Sequence, residues 1–206
     1  MSEAVARSAV VVCGGESTRF GDRDKVFADL AGKPLVRHVT DRVDPVVDEV
    51  VVNCHPRQRA RLDTVFEDST VALAPDDRPN AGPLAGMRRG LDAASGEYAV
   101  VLACDMPFVD PDFLAFLFDR AAHVEAAIPR QDGGWYQPLQ AVYAVEPFVD
   151  ALDRSLAAGV DRPIAAAFDL DHVVVWNPDA VAATDTFFNV NTAADLQTAA
   201  TRIDRA

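Results

Sequence analysis

Residues suited to chemistry in this 206-residue chain gather where apolar runs end. The first such run stops at Gly14-Gly15-Glu16-Ser17-Thr18-Arg19-Phe20-Gly21, and Asp22-Arg23-Asp24-Lys25 follows. A glycine pair just past a buried strand lets the backbone approach a ligand and turn its N–H groups toward it. Ser17 and Thr18 add hydroxyl donors, while Arg19 and Lys25 supply the positive charge that a polyphosphate requires. No Gly-Lys-Ser/Thr follows at P-loop spacing, and the adjacent Gly14 and Gly15 do not make the GxGxxG dinucleotide pattern. A solvated glycine-rich turn would carry the same glycines. Lys25 separates the two readings, because it is one of only two lysines in the chain and sits in the loop best suited to phosphate.

Two further segments end apolar runs in the same way. Asp105, in Ala103-Cys104-Asp105-Met106-Pro107, follows the most apolar run. Ligands of open parallel sheets bind beyond the carboxyl ends of the strands, and a carboxylate there suits magnesium, which takes few carboxylates plus substrate phosphates. A turn or helix-capping aspartate is the competing reading. Gly82-Pro83-Leu84-Ala85-Gly86, with Asp76 and Asp77 upstream, predicts a narrow helix entry whose N–H groups face that same edge. A tight loop with a small-residue helix contact would look alike. His38, His55, His123 and His172 are too scattered for a metal cluster. Trp135, Tyr136 and Gln137 lie where an acceptor could stack, although edge-strand aromatics are the simpler reading. Cys54 and Cys104 read as small buried hydrophobes.

The elements that must position these residues alternate. Ser8–Cys13, Glu49–Asn53, Val71–Ala74, Tyr98–Ala103 and Ala126–Pro129 read as buried strands. Helical patterns separate them at Pro34–Val43, Arg57–Val65, Pro83–Ala94 and Pro111–Ala121, the last capped by Asp110. Such alternation predicts a parallel sheet covered on both faces, with right-handed crossovers. After about residue 130 the rhythm changes. Gly133-Gly134 marks a turn, Gln137–Val145 alternates as a strand, and a helix runs from Glu146 to about Ala158. Asp171–Trp176 reads as another strand and Thr192–Arg202 as a closing helix, with Thr192 as its cap. These later strands are expected at the edge of the same sheet. One domain over 1–206 results, with a nucleotide half over about 1–110 and an acceptor half over about 111–206.

Composition narrows the class. Hydrophobic residues make up 50% and mean hydropathy is +0.03, which excludes a disordered chain. No apolar run approaches a membrane span, residues 1–7 do not form a signal peptide, and the three scattered cysteines exclude a disulfide framework. A cytoplasmic protein is expected. The 32 acidic residues against 19 basic ones give a net charge of −13, which disfavours nucleic acid and anionic membranes as partners. A surface so acidic and so poor in lysine points to a salt-rich cytosol, where counterions screen its self-repulsion. Any anion must then be held by locally concentrated cations.

Taken together, Val12-Cys13-Gly14-Gly15, Arg19-Phe20-Gly21, Lys25 and Gly32-Lys33-Pro34-Leu35 resemble the opening signature of the molybdenum cofactor guanylyltransferase family. Gly82–Gly86, Cys104-Asp105-Met106-Pro107 and Phe188-Asn189-Val190-Asn191-Thr192 resemble its later motifs, in order and over nearly the whole chain. The resemblance implies a Rossmann-like α/β/α sandwich of the nucleotide-diphospho-sugar transferase kind, mostly parallel with an added edge β-element. It also implies GTP as donor, Mg2+ as cofactor and molybdopterin carrying molybdenum as acceptor, with transient contact to cofactor-delivery or molybdoenzyme partners. Carried over by residue, Val12, Cys13, Gly14 and Gly15 cradle the nucleotide, Lys25 binds its phosphates with Arg19 assisting, and Asn53 contacts it. Asp76 is the better match for a further nucleotide contact, with Asp77 the alternative, and Asp105 matches the metal ligand. Cys13 stands where the family usually has alanine, which implies packing only. A sister transferase using CTP, or a cobinamide or sugar phosphate as acceptor, would share the glycine loop. A nucleotide-binding adaptor without turnover is the rival of another class.

Overall fold

Runs of valine, alanine and leucine form the strands, because such side chains pack on a pleated surface buried on both faces. The computed structural model describes residues 6–14, 20, 24–77, 82–176, 178, 181–183 and 185–203. Its strands are β1 (Arg7–Val12), β2 (Asp29–Leu30), β3 (Lys33–Pro34), β4 (Glu49–Cys54), β5 (Ala72–Pro75), β6 (Tyr98–Ala103), β7 (Ala126–Arg130), β8 (Gln140–Ala144) and β9 (His172–Trp176). The helices are α1 (Leu35–Val43), α2 (Arg59–Val65), α3 (Pro83–Asp92), α4 (Pro111–Ala121), α5 (Val145–Ala157), α6 (Pro163–Ala167) and α7 (Ala193–Ile203). Seven strands make one sheet in the order β5-β4-β1-β6-β8-β7-β9, parallel except for β8.

Strand alternation feeds two cores. On one face Ala9 and Val11 of β1 pack with Val39 of α1, Leu62 of α2 and Leu117 of α4. On the other, Val10 packs with Met87 of α3, Leu152 of α5 and Ala167 of α6. This is the α/β/α sandwich expected from the sequence. A third, smaller cluster joins Leu30, Leu35, Phe108, Val190 and Ala199, so the β2–β3 hairpin and α7 close over the carboxyl end of the sheet. The hairpin is too short for periodicity to reveal, and it turns through Ala31 and Gly32, both at positive φ.

One expectation needs correction. β9 takes the sheet edge, but β8 lies inside, antiparallel between β6 and β7. Every residue of β8 is buried, including Tyr143 and Gln140, and a strand buried on both faces belongs in the interior. The turn at Gly133-Gly134 is the cause. It reverses the chain immediately after β7, with Gly134 at φ +82°, so β8 pairs back along β7 and separates it from β6.

Candidate active site

At the carboxyl end of β1 the backbone is stitched to both neighbours. Cys13 N–H donates to Asn53 O at 2.9 Å, and Cys104 N–H donates to Val12 O at 3.2 Å. This brings Val12, Cys13, Gly14, Asn53 and the Cys104-Asp105 turn to one edge. Gly14 and Gly86 leave room that no other residue would. A Cβ at Gly14 would lie 2.8 Å from Asp76 Oδ2, and one at Gly86 would lie 2.5 Å from Asn53 Oδ1. The buried Asn53 amide donates to Ala74 O at 3.1 Å and to Asp76 Oδ1 at 2.7 Å. Its Oδ1 is buried without a hydrogen-bond partner among the described residues. Burial pushes the Asp76 carboxyl above its ordinary value, against the Asn53 amide that donates to it. Asp77 is exposed, and among the described residues it pairs with Arg89, at 3.7 Å.

Across the same edge, Lys25 opens a short 3-10 turn, Lys25–Phe27, and its ammonium lies 2.6 Å from Asp105 Oδ2. Burial, the largest influence, would lower the Lys25 pKa, but the Asp105 carboxylate with Cys104 and Cys13 together outweighs it, and the ammonium is held above its ordinary value. Asp105 is only 8% exposed, and its Oδ1 is buried with no partner among the described residues. Leaving a buried acceptor unpaired costs about 1–3 kcal/mol, so Oδ1 is open to a hydrogen-bond donor or a cation there. Asp105, Lys25 and Cys13 line one cavity of about 470 Å3 with Gly14, Gly82 and Gly86. A larger hollow of about 940 Å3 opens at the opposite edge of the sheet. It is lined by Glu97, Glu125, Glu146 and Asp171, the wrong sign for a phosphate.

Set beside known proteins, the chain matches the family described as the MobA-like NTP transferase domain over residues 9–173. The chain belongs to this family. The MobA-like chain is 42% identical over 200 residues to a probable molybdenum cofactor guanylyltransferase of Natronomonas pharaonis, covering 96% of this chain and 98% of that one. A molybdenum cofactor guanylyltransferase of Pseudomonas putida is 36% identical over 152 residues, or 74% of this chain and 77% of its own. Among solved structures, molybdopterin-guanine dinucleotide biosynthesis protein A from Archaeoglobus fulgidus superimposes with a TM-score of 0.78 at 27% identity, covering 97% of this chain and 100% of that one.

Sequence reasoning about this MobA-like chain missed two side chains that hold the site together. Gln58, 2% exposed, donates to Asp24 Oδ2 at 2.7 Å and to Cys13 O at 3.4 Å, while its Oε1 accepts from His55 N–H. Asp24 caps the turn that carries Lys25, so Gln58 ties that turn to β1. Asn191 Oδ1 accepts from Lys25 at 3.4 Å, and the preceding Val190 N–H donates to Asp105 O at 2.8 Å. The Asn191 loop is fixed by Asp195, which accepts from the Asn191 and Thr192 N–H groups, while Thr192 Oγ1 accepts in return at the start of α7. Asn191 stood within a recognised motif, which was the available signal; Gln58 had none. Gly15 and Arg19, with Ser17 and Thr18, lie outside the described residues. Cys13 is buried, and burial pushes its thiol well above the ordinary value, in keeping with a packing role. Cys54 is raised to about 11 by the same cause.

The glycine cradle yields a direct test. Gly86→Ala places a methyl against Asn53 Oδ1, and Asn53 is pinned by Ala74 and Asp76. The variant is expected to lose about 1–3 kcal/mol of stability and most nucleotide affinity. A melting curve and a nucleotide titration within experimental error of the parent would refute this account of the cradle.

Proposed function

We propose that this chain is a molybdenum cofactor guanylyltransferase, joining GMP from GTP to the terminal phosphate of molybdopterin that carries molybdenum. An acceptor phosphate oxygen attacks the α-phosphorus, a new P–O bond forms, the bond to the β-phosphate bridging oxygen breaks, and pyrophosphate leaves. The observation that carries this reading is the Lys25–Asp105 pair at the mouth of the glycine cradle, with one carboxylate oxygen committed to the lysine and the other left without a partner among the described residues.

The attacking oxygen is already anionic, since a phosphate monoester has its second pKa near ~6, so no general base is required. What the chain must provide is alignment and charge. Val12 to Gly15 bring the backbone against the nucleotide. Asn53 and Asp76 set acceptor oxygens against Gly14 and Gly86, the polarity that suits the N–H donors of guanine. Lys25, with Arg19, neutralises the departing pyrophosphate. The donor set fits magnesium: Asp105 Oδ1 is an orphaned hard oxygen, and no cluster of three ligating side chains exists among the described residues, so phosphates and water would complete the shell. Magnesium held there by Asp105 would supply charge neutralisation to the reacting phosphates.

In this reading residues of about 1–110 form the nucleotide half and those of about 111–206 the acceptor half, and the protein works in the cytoplasm with transient contact to cofactor-delivery or molybdoenzyme partners. No helix among the described residues is long and apolar enough to cross a membrane. In calorimetric titration with magnesium, GTP is expected to bind more tightly than CTP or ATP. Equal affinity for all three would remove the guanylyl assignment, and absence of pyrophosphate release with GTP and acceptor would leave only a nucleotide-binding adaptor.

A further inference from the structure

Both tryptophans of the chain are exposed, and one of them, Trp176, lies at the end of a strand of the central sheet. Trp176 ends β9, opposite Arg130 at the end of β7. The Arg130 guanidinium lies 4.3 Å from the Trp176 ring centroid and 5.1 Å from that of Tyr136. Arg130 Nε donates to Gly134 O at 3.2 Å, which fixes it between the two rings, and no carboxylate pairs with it among the described residues. In a chain of net charge −13, a cation held by aromatic faces rather than by an acid is a built feature. Trp176 is 64% exposed, so the arrangement presents an aromatic ring beside a cation to solvent.

The position of this surface decides what it can meet. Alternation puts Ala126 and Ile128 of β7 on the α3–α5 face, so Arg130 lies on that face too. Val173 and Val175 of β9 pack on the opposite face, which leaves Trp176 beside Arg130. The nucleotide cavity opens on the same face, through Gly86 of α3 and Leu139 before β8. Leu139 O accepts from Ala103 N–H, and Gln137 N–H donates to Pro129 O, so backbone hydrogen bonds connect the Asp105 turn to the strand that carries Arg130. From β6 to β9 there are three strand spacings, about 14 Å in all. That is the scale of a fused heteroaromatic ring system carrying a phosphate on a short arm.

We propose that Arg130, Tyr136 and Trp176 form the stacking platform for the pterin ring of the acceptor while its phosphate reaches Lys25 and Asp105. This rests on the guanylyltransferase reading above. A pterin is planar and electron-rich in its substituents, and the anionic dithiolene attached to it complements an arginine without an acid partner. The platform orients the acceptor through its ring, and the nucleotide half is untouched by it.

The test uses the whole protein. In a Trp135→Phe background Trp176 is the sole tryptophan, and neopterin phosphate, a pterin with a phosphorylated side chain, is expected to quench its emission saturably, with about tenfold weaker binding when Arg130→Gln is added. In steady-state assays with GTP and molybdopterin, Trp176→Leu and Arg130→Gln should each raise the acceptor KM about tenfold, leaving the GTP KM and kcat within about twofold. Unchanged acceptor KM in both variants, or an equal rise in both KM values, overturns the platform. If the parent protein transfers GMP but the variants keep the parental acceptor KM, the platform falls and the guanylyltransferase reading stands. If the parent quenches with the pterin phosphate and the quench needs Arg130, yet no GMP is transferred, the platform stands and that reading falls.

Discussion

Asp105→Asn is expected to lower turnover by about 10²–10³-fold while nucleotide affinity falls far less. The carboxylate serves two directions at once: Oδ2 takes the Lys25 ammonium at 2.6 Å, and Oδ1 is the buried acceptor that would hold a metal ion. An amide has a single oxygen. Given to Lys25, it turns an NH2 toward the metal; given to the metal, it turns that NH2 onto an ammonium. Either choice removes one of the two electrostatic functions while shape is kept, and neither touches the glycine cradle proposed for the nucleoside. Single-turnover rates and calorimetric titration of the same preparation separate the two effects. Near-parental turnover at low magnesium would make Asp105 a structural residue only.

Lys25 is the second site of large effect. Its side chain is 19% exposed and wedged between Asp105 and Asn191, on a turn that Asp24 and Gln58 hold against β1. A flexible stem ending in a compact charge fits that gap and can follow the pyrophosphate as it leaves, whereas an arginine carries a wide planar fork. Lys25→Arg is therefore expected to lose about tenfold to a hundredfold in kcat with charge conserved, and Lys25→Ala about 10³-fold with weaker GTP binding as well. Lys33→Arg is the control. Lys33 lies in β3, its side chain 56% exposed and 2.9 Å from Asp41, and the same exchange there should change activity by less than about twofold. Equal behaviour of the two arginine variants would show that the lysine is not specifically required.

Much of this site could be read from residue types. Lys25 and Asp105 declared themselves because each follows an apolar strand, and ligands gather at that edge whatever the protein. Asn53, next to last in β4, was legible through the family resemblance. Asp76 was preferred over Asp77 on the resemblance, and in the fold it is Asp76 that accepts from the buried Asn53 amide while Asp77 is exposed. Gln58 was invisible: its partners, Asp24 and Cys13, are 34 and 45 residues away. The interior place of β8 was lost for a similar reason. Alternation in Gln137–Val145 reports a strand, but it is silent about neighbours, and the pairing was decided by a two-glycine turn.

That interior strand also bears on how the protein is made. During synthesis β1, β4 and β6 can pair in parallel as soon as they leave the ribosome, while the long apolar flank of β6 must wait for residues 140–144. Until then β7 has emerged without its inner neighbour, and β6 presents unpaired N–H and C=O groups, the condition under which nascent chains associate edge to edge. The interval between the emergence of β6 and the emergence of β8 is thus the one in which this edge stands unpaired, and a pause within it would carry a cost that a pause after β8 has emerged would not.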